Sequence, residues 1–179
     1  MLDEVIGALA PSEGAIFVDG TFGGGGYSRA LLEAANCDVW GIDRDPEACA
    51  RGAAMAEEFD ERLKILNGRF SEMAILLKSE KTFAVDGIAL DLGVSSFQIS
   101  NAARGFSFRE DGPLDMRMSK EGPSAADVIN SIPEAVLADI IYRYGEERRS
   151  RRISRAIVAA RAKSPITRTS QLAEIIRQC

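Results

Sequence analysis

The sequence predicts an α/β protein: a parallel sheet covered by helices, followed by a purely helical module. Three observations carry this. Apolar runs at residues 15–19, 37–42, 63–66 and 85–90 have strand length, with helical spacing between them. Strands alternating with helices run parallel and are buried on both faces, and right-handed crossovers bring their carboxyl ends to one edge. Asp19, Asp43 and Asp91 close three of the four runs, so they collect along that edge, where ligands bind in open sheets. From Ser124 onward only helical spacing remains, over about 125–130, 133–144, 146–162 and 170–178.

The elements follow in order. Leu2, Val5, Ile6 and Leu9 share one helical face, and Pro11 ends it. The first strand runs into Asp19-Gly20-Thr21-Phe22-Gly23-Gly24-Gly25-Gly26-Tyr27-Ser28 and re-enters as a helix over 29–35. A strand that ends in glycines and returns as a helix puts bare backbone N–H groups around one point, a cradle for a nucleoside cofactor. After the second strand, Asp45-Pro46-Glu47 starts a helix to about residue 59, with Asp45 as cap and Pro46 in the first turn. Asn67-Gly68-Arg69-Phe70 turns the chain, and Ser71 is expected to cap a helix through about residue 78. Residues 94–123 are rich in Ser, Gly, Arg and Asp without a sustained period; a loop this long is usually functional or disordered. Ile153, Ala156, Ile157 and Ala160 form a later apolar stripe. A doubly wound sheet ordinarily continues past a fourth strand, and the chain stops inside a helical run at Cys179, so a truncated protein with an incomplete sheet is expected.

Composition narrows the class. With 46% apolar and 27% charged residues the chain reads as soluble, and no stretch has the apolar length of a bilayer span. A cytoplasmic protein without membrane or metal partners is expected. Cys37, Cys49 and Cys179 have neither metal nor disulfide spacing. The net charge of −5 conceals a split: residues 1–142 carry 12 Lys/Arg against 24 Asp/Glu, residues 143–179 carry 10 against 3. A basic end on an acidic body suits a polyanion, or is a solvated helix face.

Asp43, ending the second strand, can accept both hydroxyls of a ribose, or serve as the N-terminal charge of the next helix. Phe70 suits an adenine face or plain core packing. Asp19, just before the glycine turn, would repel a pyrophosphate and suits an amino-acid-bearing ligand, which favours S-adenosylmethionine over a dinucleotide. Asp91, Ser95, Ser96 and Gln98 gather acceptors and donors at the fourth strand's end, more than a capped turn uses. Arg104, Phe106 and Phe108 interleave charge with aromatic surface, as a splayed base and its phosphates require, or as a loop packed on itself.

Together Asp19-Gly20-Thr21-Phe22-Gly23, Gly25-Gly26-Tyr27-Ser28, Asp43-Arg44-Asp45-Pro46, Asp91-Leu92-Gly93-Val94-Ser95-Ser96 with Gln98, Arg104-Gly105-Phe106-Ser107-Phe108, Gly112-Pro113-Leu114-Asp115-Met116-Arg117-Met118 and Tyr144-Gly145-Glu146-Glu147 resemble the RsmH (MraW) family, bacterial 16S rRNA cytosine-N4 methyltransferases. The resemblance implies a Rossmann-like, class I methyltransferase fold with a helical insert. It implies S-adenosyl-L-methionine as cofactor and a decoding-centre cytosine of 16S rRNA, in the small subunit, as substrate. Carried over, Gly25, Gly26, Tyr27, Asp43, Phe70, Asp91 and Gln98 match cofactor-binding positions, with Tyr27 where many members have histidine. The family's usual opening and its sheet-completing C-terminal part are absent.

The expected organisation is a cofactor domain over residues 1–100, a substrate loop over 101–123 and a partial helical insert over 124–179, with room for a homodimer. Asp91 leads as acceptor of the amine proton, with Ser95, Ser96 and Asp115 as reserves. Arg104, Arg117, Arg148, Arg149 and Arg152 are the expected phosphate contacts. Two other functions stay open: a non-catalytic RNA-binding fragment and a dinucleotide-dependent enzyme.

Overall fold

In the computed structural model, which describes residues 1–179, four parallel strands form one sheet: β1 (Ile16–Asp19), β2 (Asp38–Asp43), β3 (Leu63–Asn67) and β4 (Gly87–Ala89). Their order is β3-β2-β1-β4. The chain therefore steps outward from β1 to β3 and then returns to the opposite side of β1. A crevice opens where the order reverses, at the carboxyl ends of β1 and β4. The register sets Asp19 beside Gly41 on one side and Ala89 on the other.

Both faces are covered, as the expected Rossmann-like arrangement requires. Phe17 and Val39 pack on one face with Leu31, Met55, Phe59 and Leu63. Val18, Trp40 and Ile42, alternate along the same strands, pack on the other with Leu77. The helices are α1 (Leu2–Leu9), α2 (Gly26–Ala34), α3 (Pro46–Ala56) and α4 (Met73–Ser79). The Asp45 carboxylate accepts the Glu47 N–H at 3.0 Å and caps α3 as expected. That helix ends at Ala56, short of residue 59, because Asp60 and Glu61 turn left-handed and fold Phe59 into the core. β4 is also shorter than its apolar run: the Asp86 carboxylate takes the Ile16 N–H, and the ladder stops where Gly20 N donates to Ala89 O. Ser71 does not cap α4. The chain enters through a 3-10 turn at Phe70–Glu72, with the Glu72 carboxylate accepting from Arg69 N.

Met1–Ser95 with Met118–Lys120 make one compact unit; Ser96–Arg117 with Glu121–Cys179 make a second. The second is helical: α5 (Ser96–Ser100), α6 (Ala125–Ser131), α7 (Glu134–Gly145), α8 (Ser150–Arg161) and α9 (Thr169–Arg177). Leu114, Ile129, Leu137, Ile153, Ile157 and Ile166 form its core. Ser124 caps α6 reciprocally with Asp127. α8 begins at Ser150, later than its spacing suggests. Glu146 is left-handed at φ 52°, and the Glu147 carboxylate accepts the Arg149 N–H at 2.7 Å. The aperiodic stretch is ordered by distant partners. Leu114 N donates to Thr167 O at 2.8 Å, Thr169 N donates to Gly112 O at 3.0 Å, and Arg168 pairs with Asp111 at 2.7 Å.

Candidate functional site

β1 ends in an acid that braces the turn after it. Asp19 is fully buried, its Oδ2 accepting from the Ser28 hydroxyl at 2.8 Å and its Oδ1 from Thr21 N at 3.3 Å. Burial pushes its carboxyl above the usual carboxylate range; the Ser28 and Thr21 hydrogen bonds oppose that shift, and the charge of Asp43 adds to it. Asp19, expected from sequence among the cofactor-binding residues, presents no surface of its own. With no surface exposed, Asp19 acts through the loop it shapes.

Two adjacent glycines of that loop have different reasons to be glycine. Gly25 precedes α2 at φ 76°, and a Cβ there would lie 2.5 Å from Phe22 Cζ and 2.6 Å from Met55 Cε. Gly26 opens α2, and a Cβ there would meet nothing within 4 Å. The first is required by the chain's own packing. The second faces open space at a helix start, where first-turn N–H groups have no intrahelical acceptor.

Asp43 ties this turn to β2. Its Oδ2 accepts from Gly23 N at 2.8 Å and its Oδ1 from Asp45 N at 2.9 Å. Arg51 of α3 holds the other side of the same residue, donating to Gly23 O from Nη2 at 3.2 Å. A second tie reaches β4: Asp91 N donates to Thr21 Oγ1 at 2.7 Å. The Asp91 side chain is exposed and makes no hydrogen bond within the chain. Ser95 is half-buried against the turn, its Cβ 3.7 Å from where a Gly23 Cβ would sit. Phe70, 44% exposed, opens the 3-10 turn after β3 with its Cβ beside Gly20. Asp19, Gly25, Gly26, Tyr27, Asp43, Phe70, Asp91 and Ser95 thus share the carboxyl edge of the sheet.

Thr21, Ser28 and Arg51 are the residues that sequence reasoning missed. Thr21 had a local signal, since an aspartate commonly accepts from the N–H two residues on. Ser28 and Arg51 had none, because each reaches its partner through the fold. The thiol nearest the site, Cys49 of α3, donates to Asp43 O at 3.3 Å, and burial pushes it up. No group of His, Cys, Asp or Glu is arranged to hold a metal ion, and no helix is long and apolar enough to cross a membrane.

The remaining expected residues belong to the helical unit. Ser96 is exposed on α5 and Gln98 is buried there. Arg104, expected at a phosphate, is only 5% exposed; it donates to Arg117 O at 3.0 Å and stacks over Phe106 at 5.9 Å. Arg117, likewise expected at a phosphate, forks onto Asp115, from Nη2 at 2.6 Å and Nε at 3.0 Å, while Nη1 donates to Gly122 O. That pairing holds the Asp115 carboxyl below the usual range, so Asp115 is a poor proton acceptor. Both guanidinium groups are engaged inside their own unit. Phe108 is 65% exposed, with Arg177 over its ring at 5.8 Å. Arg148, Arg149 and Arg152 are exposed around the α7–α8 junction.

Comparison with known proteins gives the same direction along the whole chain. Residues 1–179 match the MraW methylase family. The sequence is 63% identical, over all of its length and 55% of the relative's, to the ribosomal RNA small subunit methyltransferase H of Gluconobacter oxydans. It is 61% identical to the protein of that name in Rhodospirillum centenum, over 98% of this chain and 53% of the relative. For Granulibacter bethesdensis the identity is 58%, over 99% and 53%. The chain spans about half the length of the curated relatives it matches. A glycine turn braced at the reversal point of a parallel sheet and a match that leaves no part of the sequence uncovered agree, and the chain belongs to the MraW methylase family.

Proposed function

We propose that this chain carries the cofactor cradle, and part of the RNA-binding surface, of an S-adenosylmethionine-dependent methyltransferase that modifies the N4 amine of a cytosine in the decoding centre of 16S rRNA. The observation that carries the reading is the glycine turn tied to both Asp43 and Asp91, in a chain whose relatives are named as small-subunit rRNA methyltransferases. The residues present suit the polarity of such a cofactor: Gly26 faces open space, and Asp43 is only half-buried, so its oxygens retain acceptor capacity beyond two backbone partners.

When bound, S-adenosylmethionine supplies a methyl group on a sulfonium, which needs no activation by the protein. The backbone of Gly25, Gly26 and Tyr27 would hold its amino-acid end. Asp43 would take the ribose hydroxyls and Phe70 would cover the adenine. The target amine is a weak nucleophile, because its lone pair is delocalised into the cytosine ring. Alignment in a dry site therefore does most of the work. Asp91 would accept a hydrogen bond from the amine, localising its lone pair, and its carboxylate would take the proton released as the N–C bond forms and the sulfonium's S–C bond to the methyl breaks, leaving a neutral thioether. Ser95 would orient the same amine. Asp91 is a better acceptor than Asp115, whose carboxylate is committed to Arg117. The base reaches such a pocket only after leaving its stack.

Calorimetry on the 179-residue chain with S-adenosylmethionine, S-adenosylhomocysteine and NAD tests this. Both methionine derivatives are expected to bind and NAD is not. Binding of NAD alone, or of none of the three to a chain shown to be folded, refutes the cofactor assignment. Mass spectrometry of small-subunit RNA after incubation with the whole protein tests the N4 position.

A further inference from the structure

The helical unit holds a groove of about 700 Å³ between the end of α7 and the start of α8. Five arginines line it: Arg143 on α7, Arg148 and Arg149 in the turn, and Arg151 and Arg152 on α8. All five are exposed, and none has an ion pair or a side-chain hydrogen bond within the chain. Most guanidinium groups elsewhere in the chain have partners, and the two other exposed ones without any, Arg69 and Arg109, are not gathered around this groove. Arg29 pairs with Glu58, Arg117 with Asp115 and Arg168 with Asp111, while Arg62 and Arg161 donate to main-chain carbonyls.

Five unpaired cations around one groove repel one another, in a chain whose net charge is −5. The nearby acids do not relieve them. Glu147 gives its carboxylate to the Arg149 N–H, and Glu134 reaches only Arg155, at 3.8 Å. Asp139 is the single acid in the lining. The arrangement is complementary to a ligand bearing several negative charges along its length. One more lining residue narrows the class. Tyr142 stands 59% exposed among the arginines. An exposed ring beside guanidinium groups offers a stacking platform, which a lipid headgroup or a phosphopeptide does not require and an unpaired base does.

We propose that this groove docks single-stranded RNA, with Arg143, Arg148, Arg149, Arg151 and Arg152 on the phosphodiester backbone and Tyr142 against a base. The proposal rests on the reading of the chain as part of an rRNA methyltransferase, and it adds a docking site in the helical unit, described apart from the cofactor cradle. The groove holds flanking nucleotides; the base to be methylated goes elsewhere. Asp139 sets polarity along it, repelling phosphate at its own end while accepting from a base amine or a 2′-hydroxyl.

The test is fluorescence anisotropy of a labelled short single-stranded oligoribonucleotide on the full chain, over a range of salt. Replacing Arg148, Arg149 and Arg152 together by glutamine is expected to weaken binding on the order of a hundredfold and to lower the salt slope by about 2, at roughly 0.7 per lost phosphate contact. All three side chains are exposed, so the fold is spared, which far-UV circular dichroism checks. Tyr142→Ala is expected to weaken binding about tenfold and Tyr142→Phe to leave it unchanged, because the ring and not the hydroxyl stacks. Equal RNA affinity for the triple variant and the parent overturns the proposal. So does Tyr142→Ala behaving like Tyr142→Phe, or preference of the parent for phosphatidylserine vesicles or duplex RNA. Titration of the unaltered chain with S-adenosylmethionine is scored separately: failure there sinks the cofactor reading and leaves the groove result standing by itself.

Discussion

Gly25 and Gly26 are neighbours in sequence, yet alanine at each should fail in opposite ways. At Gly25 a Cβ meets Phe22 Cζ at 2.5 Å and Met55 Cε at 2.6 Å, and Phe22 is buried, so the ring has nowhere to go. The left-handed backbone at φ 76° adds about 1–2 kcal/mol for any residue with a Cβ. Overpacking adds roughly 1–3 kcal/mol more, so Gly25→Ala should destabilise the sheet unit by about 2–5 kcal/mol. At Gly26 nothing lies within 4 Å. Alanine there should be neutral, or stabilising by roughly 0.4–1 kcal/mol through the unfolded chain. If that open space belongs to the cofactor, the same methyl group intrudes on it, and about 1–3 kcal/mol of crowding becomes roughly ten- to a hundredfold weaker binding of S-adenosylmethionine. The assay is built in. Trp40 is the chain's one tryptophan and sits in β2, so its fluorescence follows unfolding of the sheet unit alone. Urea titration read at Trp40, paired with calorimetry, separates the two effects. A Gly26→Ala chain with unchanged stability and unchanged affinity would refute the idea that the space beyond this glycine holds the ligand.

Other perturbations have equally definite outcomes. Asp43→Ala removes acceptors for Gly23 N and Asp45 N as well as for a ribose, and should weaken S-adenosylmethionine roughly ten- to a hundredfold by calorimetry; Asp43→Asn should not restore it, since its amide would face an N–H donor. Asp91→Asn should lower methyl transfer by the whole protein, followed with a labelled methyl group at saturating cofactor, by about 10²–10⁴; full activity would remove the proton-acceptor role. Asp111, held by Ser170 and Arg168, has its carboxyl lowered from 3.8 to about 2. Its contribution to stability is complete above pH 3.8 and is lost as pH falls through about 2. Circular dichroism of the helical unit between those limits should show this loss, and Asp111→Asn should flatten that part of the profile.

What could be read from sequence was what local chemistry dictates. The Asp45 cap and the acids closing β1 and β2 follow from neighbours a few positions away. What could not be read depends on partners brought close by folding. The stretch from Gly105 to Arg117 has no period because its order comes from Thr167, Arg168 and Thr169, beyond three intervening helices. Arg104 and Arg117 looked like open phosphate contacts because composition does not show whether a guanidinium is already engaged. Conversely, Tyr142 and Arg143 became visible only when two helices set them around one groove. Ser28 is the plainest case. Nothing local distinguishes it from any other serine in a first helical turn, yet it holds the buried acid under the whole glycine loop.

The hydrogen bond from the Asp91 amide to the Thr21 hydroxyl has a kinetic consequence. The cofactor turn and the proposed base share one short linkage, so neither can fluctuate far without the other. In the proposed reaction, a ligand that quiets the turn would also narrow the excursions of the Asp91 backbone, so the proposed acceptor would be better positioned once the methyl donor is bound.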